Sequence, residues 1–341
     1  MKAYINGLSA ISPYDPNGKP FVNDYLKCAE PDYKGFINPA LARRMSRMVK
    51  MGVAAAKIGL KDAGVDIPDA IITGTGLGCI EDTEKFIASI IANEEKLLPP
   101  TSFIQSTHNT VGAQIALELK CHNYNYTYVH RGFSFEWALI DSLMLIAEKE
   151  ASRVLLGSID ETTLNIYSIT HRLGHWRQGN AMPGFGSLKP VAGEGAVFFM
   201  LGNQPEEKNY CSIYAPHIFY KASGTDVINC EIENFLTQYS LKISDIDLVI
   251  LGANGNRITD SGYNVLLDGL FKNIPAAVFK NLCGEYHTAS SFAVWLASNI
   301  LKEQQLPSRM LINSKAPDSV RRILIYNHYR NINHSLLLLE K

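Results

Sequence analysis

The residues best placed to do chemistry lie where a strand breaks at a glycine and runs into an apolar helix. The stretch NYTYVHRGFSFEWALIDSLMLI, Asn125 to Ile146, has this pattern, and the break falls at Gly132. Such a turn presents a nucleophile at a helix N-terminus, where the helix dipole lowers the pKa of a cysteine thiol. Gly132 has no side chain, so this position cannot form a covalent intermediate.

Three other side chains are candidate nucleophiles. Ser134 lies two residues beyond the break and either acts as a nucleophile or caps the helix that follows, as serine often does. Cys79 follows a glycine loop and Cys283 ends an apolar stretch, and for both a small buried thiol is the simpler interpretation. Nucleophilic catalysis requires a base and a third orienting group, and the sequence places neither beside them.

Metal and cofactor chemistry have no support in the sequence. The six cysteines form no CxxC pair and the nine histidines form no HExxH motif. His171 and His175 are four residues apart in HRLGHW, but no third ligand accompanies them. We therefore expect no metal and no cofactor. Cysteines without paired spacing also predict reduced thiols and a cytoplasmic location.

Length, charge and hydropathy define the class of protein. The chain has 341 residues, 46% of them hydrophobic, and a net charge of −1. It can bury a substantial core, and no global charge attracts it to nucleic acid or to an anionic membrane. No signal-peptide core and no apolar run of membrane-spanning length is present. A globular α/β protein is predicted.

The order of elements repeats along the chain. A strand that runs into a glycine loop occurs twice, with Gly74 and Gly252 178 positions apart, and the break at Gly132 is matched near Gly284. This repetition predicts an internally duplicated fold with βαβ-rich halves and mostly parallel sheets between helices. We also expect one long helix over residues 38–66, capped by its first asparagine, and a β-hairpin formed by GAVFFMLG and YCSIYAPHIFY.

The sequence resembles the β-ketoacyl-ACP synthases of the thiolase-like superfamily over nearly its whole length. The elbow NYTYVHRGFSFEWALIDSL corresponds to the family stretch NYTVVTAC and the helix after it, RVLLGSIDE to VVLAGGAE, and VAGEGAVFFML keeps the family's GEGA at Gly193 to Ala196. The resemblance implies a five-layered αβαβα fold. It also implies an N-terminal half over 1–200, with an interface and tunnel insert at about 80–110, and a C-terminal half over 201–341.

The departures from the family motifs fall on its catalytic positions. Gly132 stands in place of the cysteine, Asn254 in GANGNRITD in place of the first histidine, and Glu285 in KNLCGEYHTAS in place of the second. Lys280 is retained. The family's glycine-rich NSFGFGG loop is replaced by YNHYRNINHS, which has no glycine. The resemblance therefore implies a degenerate site with no expected catalytic residue.

Two further expectations follow from these replacements. An anionic Glu285 would oppose a developing enolate, because the two negative charges repel. Arg131 precedes the elbow, so an Arg131–Glu285 pair that closes the old pocket is expected, the alternative being that both side chains face solvent. His287 either replaces the lost histidine by a two-residue shift or is an ordinary histidine at a helix start.

A fold that is retained without its reactive groups predicts a partner role. The resemblance points to chain-length factors, which pair with an active β-ketoacyl-ACP synthase in fatty acid or polyketide-type biosynthesis and are visited by acyl carrier protein. Within this group, the sequence looks most like proteins of aryl polyene and dialkylresorcinol (flexirubin-type) pathways. Dimers of the superfamily join through the strand before the nucleophile, here Tyr124 to Val129, although its tyrosines could equally pack inside one subunit.

Other functions remain open at the level of sequence. The chain could be an autonomous β-ketoacyl synthase or acyltransferase with relocated residues, Ser134 or a cysteine as nucleophile and His287 as base. It could also be a homodimer that sequesters acyl chains. The basic residues Arg43, Arg44, Arg47 and Lys50 fit carrier-protein docking and equally fit a solvated helix face.

Overall fold

A computed structural model describes residues 1–15, 25–98, 100–176, 189–312 and 317–341. The strands are β1 (Lys2–Ile11), β2 (Ala70–Gly74), β3 (Tyr124–Tyr128), β4 (Arg153–Asp160), β5 (Gly195–Gly202), β6 (Cys211–Tyr214), β7 (His217–Tyr220), β8 (Leu248–Leu251), β9 (Ala276–Val278), β10 (Arg322–Tyr329) and β11 (Asn333–Glu340). The helices are α1 (Pro39–Ala42), α2 (Arg47–Ala63), α3 (Ile80–Ala92), α4 (Pro100–Gln105), α5 (Thr110–Leu119), α6 (Ser134–Ala147), α7 (Leu164–Arg172), α8 (Thr225–Thr237), α9 (Ser261–Asp268), α10 (Lys280–Cys283) and α11 (Ser290–Glu303).

The strands form one mixed sheet in the order β3-β2-β4-β5-β1-β6-β11-β10-β8-β9, with β7 paired to β11. Strands β2 and β8 pair in parallel with both of their neighbours, and the other pairs are antiparallel. The prediction of mostly parallel sheets is therefore wrong. Parallel pairing is confined to the βαβ units, because only there does a helix carry the chain back to the same end of the sheet.

The two halves of the sheet form two β layers. A central apolar core lies between them around the middle helices, and two outer cores lie between each β layer and its outer helices. Successive side chains of a strand face opposite sides, so Ile72 of β2 enters the central core while Ile71 enters an outer one. In the other half, Ile325 of β10 faces the same central core and Leu324 faces the second outer core. Helices α6 and α11 fill the central layer, α2 and α5 cover one outer face, and α8 and α9 cover the other. The predicted αβαβα fold is confirmed.

The internal duplication is visible in the strand order. Reading inward from the two ends, β3-β2-β4-β5-β1 corresponds to β9-β8-β10-β11-β6. Helix α6 follows β3 in the first half as α11 follows β9 in the second. The glycine loops after β2 and β8 therefore occupy equivalent places. The domain boundary at residue 200 stays a prediction.

The predicted β-hairpin is wrong. Strands β5 and β6 do not pair with each other, because β1 lies between them and pairs with both. The ten residues of β1 are long enough for this, with β6 on its first half and β5 along most of its length. Alternation of apolar residues identifies strands but does not specify their neighbours.

The predicted long helix is two helices. Asn38 caps α1 by accepting from the Ala40 N–H, as expected. Helix α1 ends at Ala42, and α2 begins at Arg47 with the extended Ser46 at its N-cap position. Gly64 ends α2 in a left-handed conformation with φ 67°, which glycine adopts without steric cost.

A buried carboxylate at the end of β4 connects the two halves. One oxygen of Asp160 accepts from the Thr75 hydroxyl (3.2 Å) and the Gly76 N–H (2.8 Å) in the loop after β2. The other accepts from the Thr288 N–H (2.9 Å) and hydroxyl (2.8 Å) in the turn before α11. Asp160 is 4% exposed, so these bonds form away from water, where an unpaired donor is costly.

Replacing Asp160 by asparagine should destabilise the protein by about 2–4 kcal/mol, because one oxygen with two donors becomes an NH2 group and the charge is lost. Urea denaturation of the Asp160→Asn variant measures this cost. The Asp268→Asn variant, at an exposed position of α9, is the control and should change stability by less than about 0.5 kcal/mol. Equal stability of the two variants would contradict the connecting role of Asp160.

Candidate functional site

The elbow that ends β3 has the expected strand–turn–helix shape. A short 3₁₀ turn over Arg131–Phe133 leads into α6 at Ser134. Gly132 is buried, and a Cβ placed on it would lie 2.5–2.8 Å from the Cδ2, Cγ and Cβ atoms of Tyr329. The place of a nucleophilic side chain is therefore occupied by the Tyr329 ring.

Ser134 is a structural hydroxyl at this elbow. Its Oγ accepts from the His130 N–H (2.8 Å). It lies within hydrogen-bond distance of two possible acceptors, the carbonyls of Thr75 (2.8 Å) and Arg131 (3.0 Å). It is the first residue of α6 rather than its cap, and it connects the elbow to the end of β2. No hydrogen bond to a base is present among these contacts, so the geometry does not make Ser134 a nucleophile.

The acid at the second histidine position is neutralised inside the protein. The Lys280 Nζ lies 2.9 Å from Oε2 of Glu285, and Nδ2 of Asn254 donates to the same oxygen at 2.6 Å. These three side chains were singled out by the sequence, and the structure brings them together. The expected Arg131–Glu285 pair is wrong, because Lys280, with 4% side-chain exposure, supplies the cation and Arg131 is exposed.

The loop after β8 is organised by a second buried carboxylate. Asp260 accepts from the Gly255 N–H at 2.7 Å and the Asn254 N–H at 3.3 Å. Burial raises the pKa of Asp260 to about 6. Asn254 donates its amide to Glu285 and accepts on Oδ1 from the Asn256 N–H at 2.9 Å, so its amide is already engaged and does not point at an empty oxyanion site.

His287 lies beside Tyr329 but does not form a catalytic pair. A Cβ on Gly76 would lie 2.3–2.5 Å from the Cβ, Cγ and Cδ2 atoms of His287, so the ring packs directly on that glycine. Its ring centroid is 5.8 Å from that of Tyr329. Nδ1 is buried without a hydrogen-bond partner in the described structure, so no carboxylate orients the imidazole as a base.

The two cysteines that the sequence offered as nucleophiles are unsuited to attack. Cys79 and Cys283 are buried, and burial raises the pKa of both thiols, so neither is a thiolate near neutral pH. Only Cys230 is exposed, on α8. Among the described residues, no three His, Cys, Asp or Glu side chains come together as metal ligands.

Sequence reasoning missed two buried groups and one half-buried tyrosine at this end of the molecule. Tyr329 and His328 lie in the YNHYRNINHS segment, which was recognised only as a departure from a glycine loop. Glu136 is fully buried in α6, where Ser335 donates to Oε1 at 3.1 Å and Oε2 has no partner in the described structure. Burial raises the pKa of Glu136 to about 7. An acid between aromatic residues in the first turn of an apolar helix was the available signal.

His328 is held in its neutral form. Its ring stacks on Tyr263 at 4.6 Å, its Nε2 lies 3.1 Å from the Thr259 carbonyl, and its Nδ1 lies 3.4 Å from the Asn331 N–H. A carbonyl on one side and an N–H on the other satisfy neutral imidazole. Burial, followed by the nearby Lys280 ammonium, lowers the pKa of His328 to about 3.

This pKa predicts a pH dependence of stability. Below the unfolded pKa of about 6.5 the unfolded chain binds a proton that the folded chain does not. The contribution of His328 is therefore complete above that pH and falls by about 1.4 kcal/mol per pH unit toward pH 3. The stability advantage of the wild type over a His328→Gln variant should shrink at this rate between pH 6.5 and 5, as urea denaturation would show. A constant difference would contradict neutral burial.

The edge of the sheet at β3 is exposed. Strand β3 ends the strand order, and among the described residues it pairs only with β2. Tyr124 and Tyr126 are 44% and 50% exposed, and their rings form a row with Tyr128. The sequence left open whether these tyrosines face inward, and the structure places them at the free edge.

The insert at about 80–110 consists of α3 and α4, with residue 99 outside the described ranges. Phe86 and Phe103 pack across the two helices with ring centroids 5.4 Å apart. Ile91 and Ile104 are 76% and 63% exposed. The insert thus presents apolar side chains that its own half does not cover.

The basic residues at the start of α2 are not equivalent. Arg47 binds Glu194 through both guanidinium nitrogens and also contacts Glu30, so it belongs to the framework. Arg43 and Arg44 are exposed.

A bilayer span needs about 18 apolar residues in one helix, and the described part of the chain contains no such helix.

Comparisons with known proteins agree with this fold. Residues 23–181 match the family Beta-ketoacyl synthase, N-terminal domain. The ishigamide ketosynthase/chain length factor is similar with a TM-score of 0.84 and 16% identity, over 100% of this chain and 99% of that one. No curated protein matches the sequence.

Two complexes extend the comparison. A chain of the ketosynthase ApeO with its chain length factor ApeC, from Xenorhabdus doucetiae, has a TM-score of 0.79 and 14% identity over 100% of this chain and 98% of that one. A chain of the type II polyketide synthase complex AntDE:AntF, an acyl-carrier protein with its ketosynthase bound to the hexaketide, has a TM-score of 0.73 and 15% identity over 99% of both.

The structure and the comparisons together show a ketosynthase fold. The chain has the thiolase-like ketosynthase fold over its whole length, and its N-terminal part matches the β-ketoacyl synthase family.

Proposed function

We propose that this chain is a non-catalytic subunit of the chain-length-factor type, which pairs with an active β-ketoacyl-ACP synthase. The observation that carries the proposal is the elbow. Gly132 offers no atom for acylation, and the Tyr329 ring lies where such an atom would be. Decarboxylative condensation also needs donors for an enolate, whereas Glu285 brings an anion whose partners are Lys280 and Asn254.

The proposed partner surface is the free edge of β3 with its exposed tyrosines. An unpaired strand edge presents N–H and C=O groups that a second strand can complete, and Tyr and Trp are enriched in protein interfaces. Trp137 and Met144 of α6 are 39% and 42% exposed. The ketosynthase complexes named above support an active ketosynthase as the occupant.

The proposed pathway is of the fatty acid or polyketide type, with an aryl polyene or dialkylresorcinol product. Acyl carrier protein would deliver the chain to the partner's cysteine, and the apolar side chains of α3 and α4 would face the growing chain. The proposed compartment is the cytoplasm. Free cysteines are typical of a reducing compartment, and all six of this chain are free.

Acyl transfer tests the proposal directly. The chain is incubated with acyl-loaded carrier protein, alone and after co-expression with a ketosynthase that has the complete Cys-His-His set, and both subunits are weighed by intact mass spectrometry. We expect an acyl adduct on the partner only. An adduct on this chain, mapped to Ser134 or a cysteine, would make it an enzyme with relocated residues.

A charged substitution tests the partner surface. Tyr126→Asp on β3 should weaken the heterodimer at least about tenfold, because an interface core excludes an unpaired charge. Tyr220→Asp is the matched control, since Tyr220 is an exposed tyrosine (64%) on β7, which in the described part of the chain also pairs on one side only. Titration by analytical ultracentrifugation measures both. Equal affinities would place the partner elsewhere, and self-association through β3 alone would favour a homodimer.

A further inference from the structure

Two aromatic rings meet in front of the N-terminus of α6. Tyr329 comes from the end of β10 and His287 from the turn before α11, and their centroids are 5.8 Å apart. Both side chains come from the second half of the duplicated fold, whereas the elbow belongs to the first. Two side chains of the second half therefore lie over the elbow of the first half.

Each ring rests on a glycine of the first half. A Cβ on Gly132 would come within 2.5 Å of the Tyr329 ring, and a Cβ on Gly76 within 2.3 Å of His287. Neither glycine has a positive φ. The backbone conformation therefore does not demand glycine at these positions. The neighbouring rings require glycine at both positions, because atoms of a packed interior cannot approach so closely.

The backbone that carries Tyr329 is fixed. Tyr329 pairs in register with Asn333, and the turn between them has Arg330 and Asn331 in the left-handed region, with φ 58° and 54°. The Arg330 guanidinium lies 5.3 Å from the Tyr329 ring centroid, within the range of a cation–π contact. The ring is thus held between the elbow and this turn.

We infer that Tyr329 and His287 form a plug. The plug fills the space in front of Gly132 and Gly76 and keeps acyl groups from the α6 N-terminus even when a thiol is supplied there. The inference deepens the proposed non-catalytic role. It states that the site is closed by packing in addition to lacking its nucleophile. Restoring the nucleophile alone would therefore not restore acylation.

Stability in a double-mutant cycle tests the plug without any activity. Gly132→Ala adds only a Cβ, and we expect it to lower Tm by about 5 °C through overpacking. The second variant is Tyr329→Gly, which removes both the ring and the Cβ of Tyr329. Tyr329→Ala is unsuitable, because the Cβ at position 329 would still lie 2.8 Å from the Cβ introduced at position 132. Gly132→Ala added to Tyr329→Gly should cost no further stability, because the clash is absent.

Gly262→Ala is the matched control for this cycle. Gly262 lies in α9, and a Cβ on it would meet no atom within 4 Å. We expect its Tm to change by less than about 2 °C. The inference is overturned if Gly132→Ala behaves like Gly262→Ala, or if it costs as much in the Tyr329→Gly background as in the wild type.

Thiol accessibility gives a second readout. The introduced thiol of Gly132→Cys should react with iodoacetamide at least about tenfold more slowly than that of Gly132→Cys/Tyr329→Gly, with the exposed Cys230 as internal reference. Peptide mass spectrometry locates the adducts. Equal rates would overturn the inference. Heterodimer formation by the same variants is measured separately, so loss of the plug and loss of the partner role are distinguishable.

Discussion

The carboxylate of Asp160 is the contact on which the elbow end of the molecule depends. It fixes the glycine loop after β2 on one side and the turn before α11 on the other, through four hydrogen bonds. Gly76 lies in that loop, and His287 directly precedes Thr288 in that turn. The seating of His287 on Gly76 therefore follows from the same carboxylate, which positions two segments from different halves against each other.

The positions that correspond to the family's nucleophile and to its second histidine are filled in different ways. At the elbow, steric packing replaces the nucleophile, since Tyr329 occupies the space that Gly132 leaves. At the second-half loops, an ion pair replaces the histidines, since Lys280 compensates the charge of Glu285. Both solutions leave the surrounding layers intact.

Much of this architecture could be read from the sequence. The two glycine loops, the elbow and the apolar helices α6 and α11 follow from local periodicity and glycine placement, so an internally duplicated α/β fold was predictable. Its five layers were implied by the resemblance to the β-ketoacyl-ACP synthases. The pairing of β1 with both β5 and β6 was not, because strand neighbours depend on contacts between distant segments. For the same reason the sequence identified Gly132 and Glu285 as altered positions but named the wrong cation for Glu285.

The sequence by itself determined that position 132 cannot supply a nucleophile, since a glycine has no side chain in any fold. It also determined which loops would carry the altered groups. Only the tertiary structure decided what fills the resulting space. Tyr329 lies nearly 200 positions from Gly132, and their contact arises because β10 and the elbow meet at one end of the layered sheet. Packing of this kind depends on three-dimensional complementarity, which residue types along a chain do not encode locally.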